Sequence, residues 1–345
     1  MSLLLRLSIA LAGGFALNAA FPDRGWWPLA YVALAALWLS LAKARAWGGF
    51  FYGWAFGTAF MLPHVWWAHE AVGAIPWVAL SVASGAFYGL FGAGWCHMRR
   101  SGMMRGNVWI EAPAFAVLWA GMEQVRSVLP FGGFPWGRLA FSQLDVAVSS
   151  LAWVGGAALV SFAAALAGGL LGGGIEALLR GQVLTGVGAP VAGVAVLVAG
   201  IWIPLDSQAT SGELRLGIVQ GNVPNPGLDA FANAREVTRN HRDGTLALME
   251  TNPGPIDLLV WPENSVDYDP RTDDASAELV TESAIAADAP LLLGTNDYTP
   301  EDGRYNTSLL WTPQGTVLDT YIKQRPPSTS PSATSRDASL PRSTG

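Results

Sequence analysis

The sequence predicts a multi-span α-helical membrane bundle followed by a partial α/β domain. Three observations predict it. Of the 345 residues, 51% are apolar and only 13% are charged, about half the charged share of a soluble domain. The charge is also uneven: residues 1–205 are nearly uncharged, whereas 206–345 hold most of the Asp and Glu. Finally, short apolar strands alternate with helical spacing across 213–323, the pattern of a layered α/β sheet. The net charge of −6 thus belongs to the polar part and gives no ground for nucleic-acid binding. A single cysteine excludes an intrachain disulfide framework and a Cys-based metal cluster.

Apolar runs long enough to cross about 30 Å of hydrocarbon fall near 3–20, 26–42, 47–66, 75–97, 108–125, 146–171 and 188–204, seven spans in all. The first lacks a small-x-small cleavage site and another span follows at once, so it reads as a helix rather than a signal peptide. With the N-terminus inside, one side collects Arg6, Lys43, Arg45, Arg99, Arg100, Arg105 and Arg180, and the other Arg24, Arg126 and Arg138. That bias follows the positive-inside rule. An odd number of spans then puts everything after Ile203 outside the cytoplasm. Trp26, Trp27, Trp66, Trp67 and Trp136 near span ends read as an interfacial aromatic belt. Gly85, Gly89, Gly92 and Gly94 permit close helix packing.

Charge inside a span marks a site by default. Glu111, Glu123 and Arg126 lie in or beside one, ahead of the Gly/Pro-broken aromatic segment Pro130 to Gly137. Two readings stand: a re-entrant or interfacial element shaping a lipid entrance, or a structural ion pair with an ordinary loop. His64, His69 and Glu70 on the preceding outer loop offer metal-ligating types, but no metal site is expected.

In the polar part, Leu214 to Gln220 reads as a strand and 228–250 as a helix, with Phe231, Ala234, Val237, Leu246 and Met249 apolar. Leu258 to Trp261 is an apolar run expected of a strand buried on both faces. A second helix over 274–288 and a strand over 290–295 follow. A hairpin, Tyr305–Trp311 and Thr316–Ile322, turns across Thr312-Pro313-Gln314-Gly315.

Two residues carry candidate chemistry. Glu263 follows the apolar strand after a Pro that stops it, and active groups of such folds project from the carboxyl ends of strands. Burial there would make it a usable general base. Lys323, at the end of a neighbouring strand, can offer positive charge to a developing oxyanion. A structural salt bridge fits the two residue types equally well.

The motifs narrow the choice. Gly217-Ile218-Val219-Gln220-Gly221-Asn222, Leu259-Val260-Trp261-Pro262-Glu263-Asn264-Ser265, Gly294, Tyr305-Asn306-Thr307 and Tyr321-Ile322-Lys323 together resemble the first half of a nitrilase-superfamily (carbon–nitrogen hydrolase) domain. Fused behind a multi-span bundle with Gly49-Phe50-Phe51-Tyr52-Gly53, Glu123-Gln124-Val125-Arg126 and Gly133-Phe134-Pro135-Trp136-Gly137, it resembles the bacterial apolipoprotein N-acyltransferase family over most of 1–323. The resemblance implies an αββα nitrilase-like fold on the outer face of the bacterial inner membrane. It implies acyl transfer from a phospholipid, through an enzyme Cys thioester, to the N-terminal amine of a diacylglyceryl-cysteine lipoprotein. Glu263 matches the family's base and Lys323 its oxyanion-stabilising lysine; no metal or organic cofactor is implied.

The chain departs from the family after Lys323. The family continues with a Val-Pro-Phe-Gly-Glu-like stretch and later the nucleophilic Cys, whereas 324–345 is Ser/Pro/Thr-rich and too polar to order itself. Cys96 lies at the opposite end of a span, beside His97, Arg99 and Arg100, and reads as structural. A frameshift after about Lys323 accounts for the tail, because codons for Ser330-Pro331-Ser332-Ala333 permit Val-Pro-Phe-Gly in another frame; a natural truncation is the alternative. On this reading the nucleophile is absent and the chain alone is expected to be inactive. Two further readings stay open: a membrane-tethered carbon–nitrogen hydrolase, and a non-catalytic remnant or lipid-binding membrane protein.

Overall fold

A computed structural model describes residues 2–102, 104, 106–205, 211–222, 235–252, 254–298 and 304–323. The chain forms two compact units, Met1–Ser207 and Gln208–Gly345. The expected tail over 324–345, Arg105 and the start of the helix expected over 228–250 lie outside the described residues.

The first unit is helical: α1 Leu3–Ala19, α2 Pro28–Leu41, α3 Ala46–His64, the short α4 Trp67–Val72, α5 Ala74–Arg100, α6 Val108–Arg126, α7 Ala152–Leu179 and α8 Val183–Val198. Local chemistry sets several starts. The Ser2 hydroxyl caps α1 by accepting from Leu5 N at 3.3 Å, Pro28 opens α2, and the Asn107 side chain caps α6 through Trp109 N at 3.0 Å. Each of the seven apolar runs falls on a helix. Three stretches are long and apolar enough to cross a membrane: Ala74–Arg100, Ala147–Leu179 and Val183–Trp202. Leu3–Ala19 and Pro28–Leu41 are shorter apolar helices. In α3 and α6, Gly, Trp, Tyr or charged residues lower the hydropathy. The sixth run differs in its bounds. After a separate 3-10 turn, Leu139–Gln143, it begins as the 3-10 turn Ala147–Leu151 and continues as α7 to Leu179, past the expected end at 171. Gly155 and Gly156 leave helical geometry near the α7 start.

Close packing rests on backbone approach. A Cβ on Gly49 would lie 2.4 Å from Gly92 O, and one on Gly92 would lie 2.2 Å from Gly49 O, so α3 and α5 touch through main chain. Gly94 has no such role; its nearest neighbour, a Leu118 methyl, would lie at an ordinary 3.6 Å. Charge within the helices is paired. Buried Glu111 meets Arg99 Nη2 at 2.9 Å, and the same guanidinium reaches Glu176 at 3.0 Å. Glu176 also pairs with Arg180 and accepts from Trp38 Nε1 at 2.8 Å. Four helices are thereby tied, as buried charge demands.

The second unit is a five-stranded mixed sheet in the order β1-β2-β3-β4-β5: β1 Leu216–Ile218, β2 Leu258–Val260, β3 Leu291–Tyr298, β4 Arg304–Trp311 and β5 Val317–Ile322. β1, β2 and β3 run parallel, and β3, β4 and β5 antiparallel. The parallel crossovers pass through α9 Glu236–Glu250 and α10 Asp274–Ala287. The Asp273 carboxylate caps α10 by accepting from Ser276 N at 2.8 Å. The hairpin turn closes with Thr312 N donating to Thr316 O at 2.9 Å, around Gly315 at φ 77.

One sheet face packs on a core that includes Leu259, Leu291, Leu293, Leu309 and Trp311, together with Val280 and Ala284 of α10. The other face is apolar yet only partly covered by described residues: Leu216 and Ile218 are exposed, and Leu258, Val260, Leu292 and Leu310 half-buried. This corrects the expectation that β2 is buried on both faces.

Candidate functional site

The site begins where β2 ends. Trp261 N donates to Leu292 O at 2.8 Å, and Val266 N to Gly294 O at 3.0 Å, so residues 261–266 cross above β3. Ser265 Oγ locks the crossing, donating to Gly294 O at 3.3 Å and accepting from Gly294 N at 3.2 Å. Gly294 makes this possible, because a Cβ there would lie 2.8 Å from Glu263 Cα. The crossing carries the Glu263 side chain out over the β3–β4–β5 end of the sheet.

There it meets Lys323, just past β5. Lys323 Nζ donates to Glu263 Oε1 at 2.9 Å. Asn306 Nδ2 donates to the same oxygen, and Asn306 O accepts from Lys323 N at 2.9 Å. Asn306 thus holds both residues, one by side chain and one by backbone. Two donors on Oε1 leave Oε2 without a partner among the described residues. The sequence analysis had Asn306 only as part of a motif. Its side-chain role depends on β4 register, which pairs Asn296 with Asn306 and Gly294 with Ser308 and so aims 306 and 308 at the Glu263 side. A cavity of about 340 Å³ opens here, lined by Trp261, Glu263, Leu292, Ser308, Tyr321 and Lys323 among others.

The burial expected for Glu263 is not found. Its side chain is 54% exposed and that of Lys323 43%. The apolar run ends at Trp261, Pro262 turns the chain outward, and no described residue roofs the carboxylate. An ion pair this exposed stabilises by only about 0–1 kcal/mol, so stability alone is a weak reason for the arrangement.

The other candidates all belong to the first unit. Cys96 is buried in α5, its Sγ 3.6 Å from Leu41 O. His64 Nδ1 lies 3.3 Å from Asn18 Oδ1, and His69 Nδ1 3.4 Å from Glu70 Oε1. Among the described residues no three His, Cys, Asp or Glu side chains converge as metal ligands.

Glu123 and Arg126 form no ion pair with each other among the described residues. Each anchors the segment after α6 instead. Arg126 Nη1 donates to Phe134 O at 2.8 Å and Trp136 O at 2.6 Å. Glu123 Oε1 accepts from Trp119 Nε1 at 2.9 Å and Leu139 N at 2.8 Å. The segment is therefore an ordered element strapped to the end of α6.

Residues 13–170 match the family model described as the apolipoprotein N-acyltransferase N-terminal domain. The chain belongs to the apolipoprotein N-acyltransferase family. It is 39% identical over 352 residues to the apolipoprotein N-acyltransferase of Mycolicibacterium smegmatis, covering 92% of this chain and 57% of that protein. To the Pseudomonas paraeruginosa protein of the same name it is 31% identical over 340 residues, covering 92% and 62%. To that of Azotobacter vinelandii it is 31% identical over 274 residues, covering 75% and 50%. The chain therefore spans about half to three fifths of the length of these family members.

Proposed function

We propose that this chain supplies the membrane bundle and the Glu–Lys half of the active site of an apolipoprotein N-acyltransferase. The observation that carries the reading is the convergence of Lys323 and Asn306 on one carboxylate oxygen of Glu263, with Oε2 left without a partner among the described residues. In the reaction a Cys thiol loses its proton to Glu263 Oε2. The thiolate attacks a phospholipid ester carbonyl, Lys323 stabilises the oxyanion, and the lysophospholipid oxygen leaves with the proton returned by Glu263 as the thioester forms. The free amine of a diacylglyceryl-cysteine lipoprotein then attacks the thioester, its proton passes to the base, and the thiolate leaves. Acyl transfer between nucleophiles involves no redox step and requires no organic cofactor.

Residues 206–345 contain no cysteine, so on this reading the nucleophile comes from polypeptide beyond this sequence. The same polypeptide would supply what the sheet lacks. An apolar face left half-covered by described residues is the face on which a second sheet packs in an αββα nitrilase-like sandwich. That packing would also roof Glu263. The acceptor carries its lipid in the outer leaflet of the inner membrane, and the Lys/Arg bias along the chain supports an outer-face position for 213–323.

The test joins this sequence to the Cys-bearing portion of a relative in a host depleted of its own enzyme, and reads lipoprotein N-terminal peptides by mass spectrometry. N-acylated peptides are expected with the joined protein and unmodified amines with its Glu263→Gln variant. N-acylation undiminished by that variant overturns the proposal, as does robust N-acylation by residues 1–345 alone.

A further inference from the structure

The α1–α2 turn, the end of α3 and the segment after α6 enclose a second cavity, of about 1020 Å³. Its composition is divided. The His64 ring stands between Phe21 and Phe60, at centroid distances of 4.4 and 4.7 Å. Beside it Trp67 and Trp136 meet at 5.4 Å, giving an aromatic wall. The lining also includes Asp23, Arg24 and Arg138. Arg24 makes no hydrogen bond or ion pair among the described residues. Arg138 binds neutral acceptors only, Ser127 Oγ at 3.1 Å and Gln124 Oε1 at 3.2 Å. The lining thus holds two guanidinium charges and one carboxylate, and a positive charge is left over.

We infer that this cavity holds the head group of an anionic glycerophospholipid. Its phosphodiester lies between Arg24 and Arg138, and its glycerol and first acyl carbons lie against Trp67 and Trp136. Guanidinium groups are suited to paired hydrogen bonds with phosphate oxygens. The surplus charge is matched by a phosphodiester that carries no ammonium group. Paired tryptophans are the side chains that settle at the head-group level of a bilayer, and a soluble phosphate would have no use for them. The volume is that of a site for a ligand of several hundred daltons. The inference rests on the placement of this unit in a membrane. Its test reads binding rather than acyl transfer, so it can fail while the acyltransferase reading stands, and the reverse.

The whole chain is purified in detergent and titrated with dioleoylphosphatidylglycerol, dioleoylglycerol or glycerol phosphate, and bound lipid is counted by native mass spectrometry. One phosphatidylglycerol is expected to be retained, with dioleoylglycerol binding far more weakly and glycerol phosphate failing to compete. Arg24→Gln and Arg138→Gln should each weaken retention roughly tenfold, the scale of one charge-assisted hydrogen bond. Asp23→Asn provides a gain that misfolding cannot mimic. Asp23 sits at φ 87, a conformation Asn tolerates, and removing its charge should tighten binding several-fold. Equal retention of both lipids, or no change in any of the three variants, overturns the inference. Competition by glycerol phosphate as strong as by the lipid also overturns it and assigns the cavity to a soluble phosphate ester.

Discussion

Gly294→Ala should disable the site although the change adds one methyl group. The new Cβ would lie 2.8 Å from Glu263 Cα, and 2.9 Å from both Asn264 N and Pro262 O. Carbon atoms pack at about 3.5–4.0 Å, so the 262–264 backbone must rise by roughly 0.7 Å or more. All three obstacles are main chain, and no side chain can rotate away to absorb the strain. Overpacking of this kind costs about 1–3 kcal/mol. The same substitution at a relaxed position would stabilise by about 0.4–1 kcal/mol, so the sign of the change is diagnostic. A rise of that size also carries Glu263 Oε1 away from Lys323 Nζ, now at 2.9 Å. Misplacement on the order of 1 Å costs about a hundredfold in rate. Two assays read it. Amide exchange at Val266, which donates to Gly294 O, should accelerate in the chain itself. N-acylation by the protein joined to a Cys-bearing portion should fall about a hundredfold. An Ala variant with unchanged exchange and unchanged N-acylation would refute the reasoning.

Other consequences follow from the same contacts. Asn306→Ala removes one of the two donors on Glu263 Oε1, a loss of about 1 kcal/mol. It should lower kcat several-fold with KM little changed, and steady-state N-acylation kinetics of the joined protein would check it. Arg99→Met leaves Glu111 and Glu176 without the guanidinium they share. Thermal unfolding in detergent should show a loss of about 3–5 kcal/mol, the cost of stranding a buried charge. Asp273 is held well below the usual carboxylate range, first by its hydrogen bond from Arg235 and then by those from Ser276. The group is depressed on folding, so its contribution is present above the unfolded pKa of about 4 and is lost as pH falls below it. Asp273→Ala should therefore remove part of the acid sensitivity of the second unit, and cost about 0.5–2 kcal/mol at neutral pH through the lost α10 cap. Urea unfolding at neutral and acid pH compares the two.

What the sequence made legible and what it hid divide along physical lines. Apolar runs located the helices because a span must be apolar wherever it lies. The Thr312-Pro313-Gln314-Gly315 turn was legible through local chemistry alone, whereas the Asp273 cap of α10 was found only in the structure. The sixth run was ended too early, at 171 rather than Leu179. Its Gly-rich stretch 168–174 is helical because it packs on α2, where a Cβ at Gly172 would meet Trp38 at 2.8 Å, and that is a tertiary fact. Gly94 resembled its neighbours in sequence, yet a Cβ there would make only an ordinary contact with a Leu118 methyl, where at Gly85, Gly89 and Gly92 it would clash. The exposure of Glu263 could not be read from Leu258 to Trp261, because an apolar strand does not say which of its two faces is covered within the same stretch of chain. Asn306 was visible as a residue, but its aim required the β3–β4 register. The anchoring of residues 134–137 by Arg126 runs through backbone carbonyls, which no side-chain pattern encodes.

The most direct test of the central claim is formation of the acyl-enzyme. The chain, joined to the Cys-bearing portion of a relative, is incubated with phospholipid alone and its intact mass measured before and after hydroxylamine. The account predicts one added acyl chain that hydroxylamine removes, lost in Glu263→Gln and sharply reduced in Lys323→Met. A hydroxylamine-sensitive acyl adduct formed equally well by both variants would contradict it.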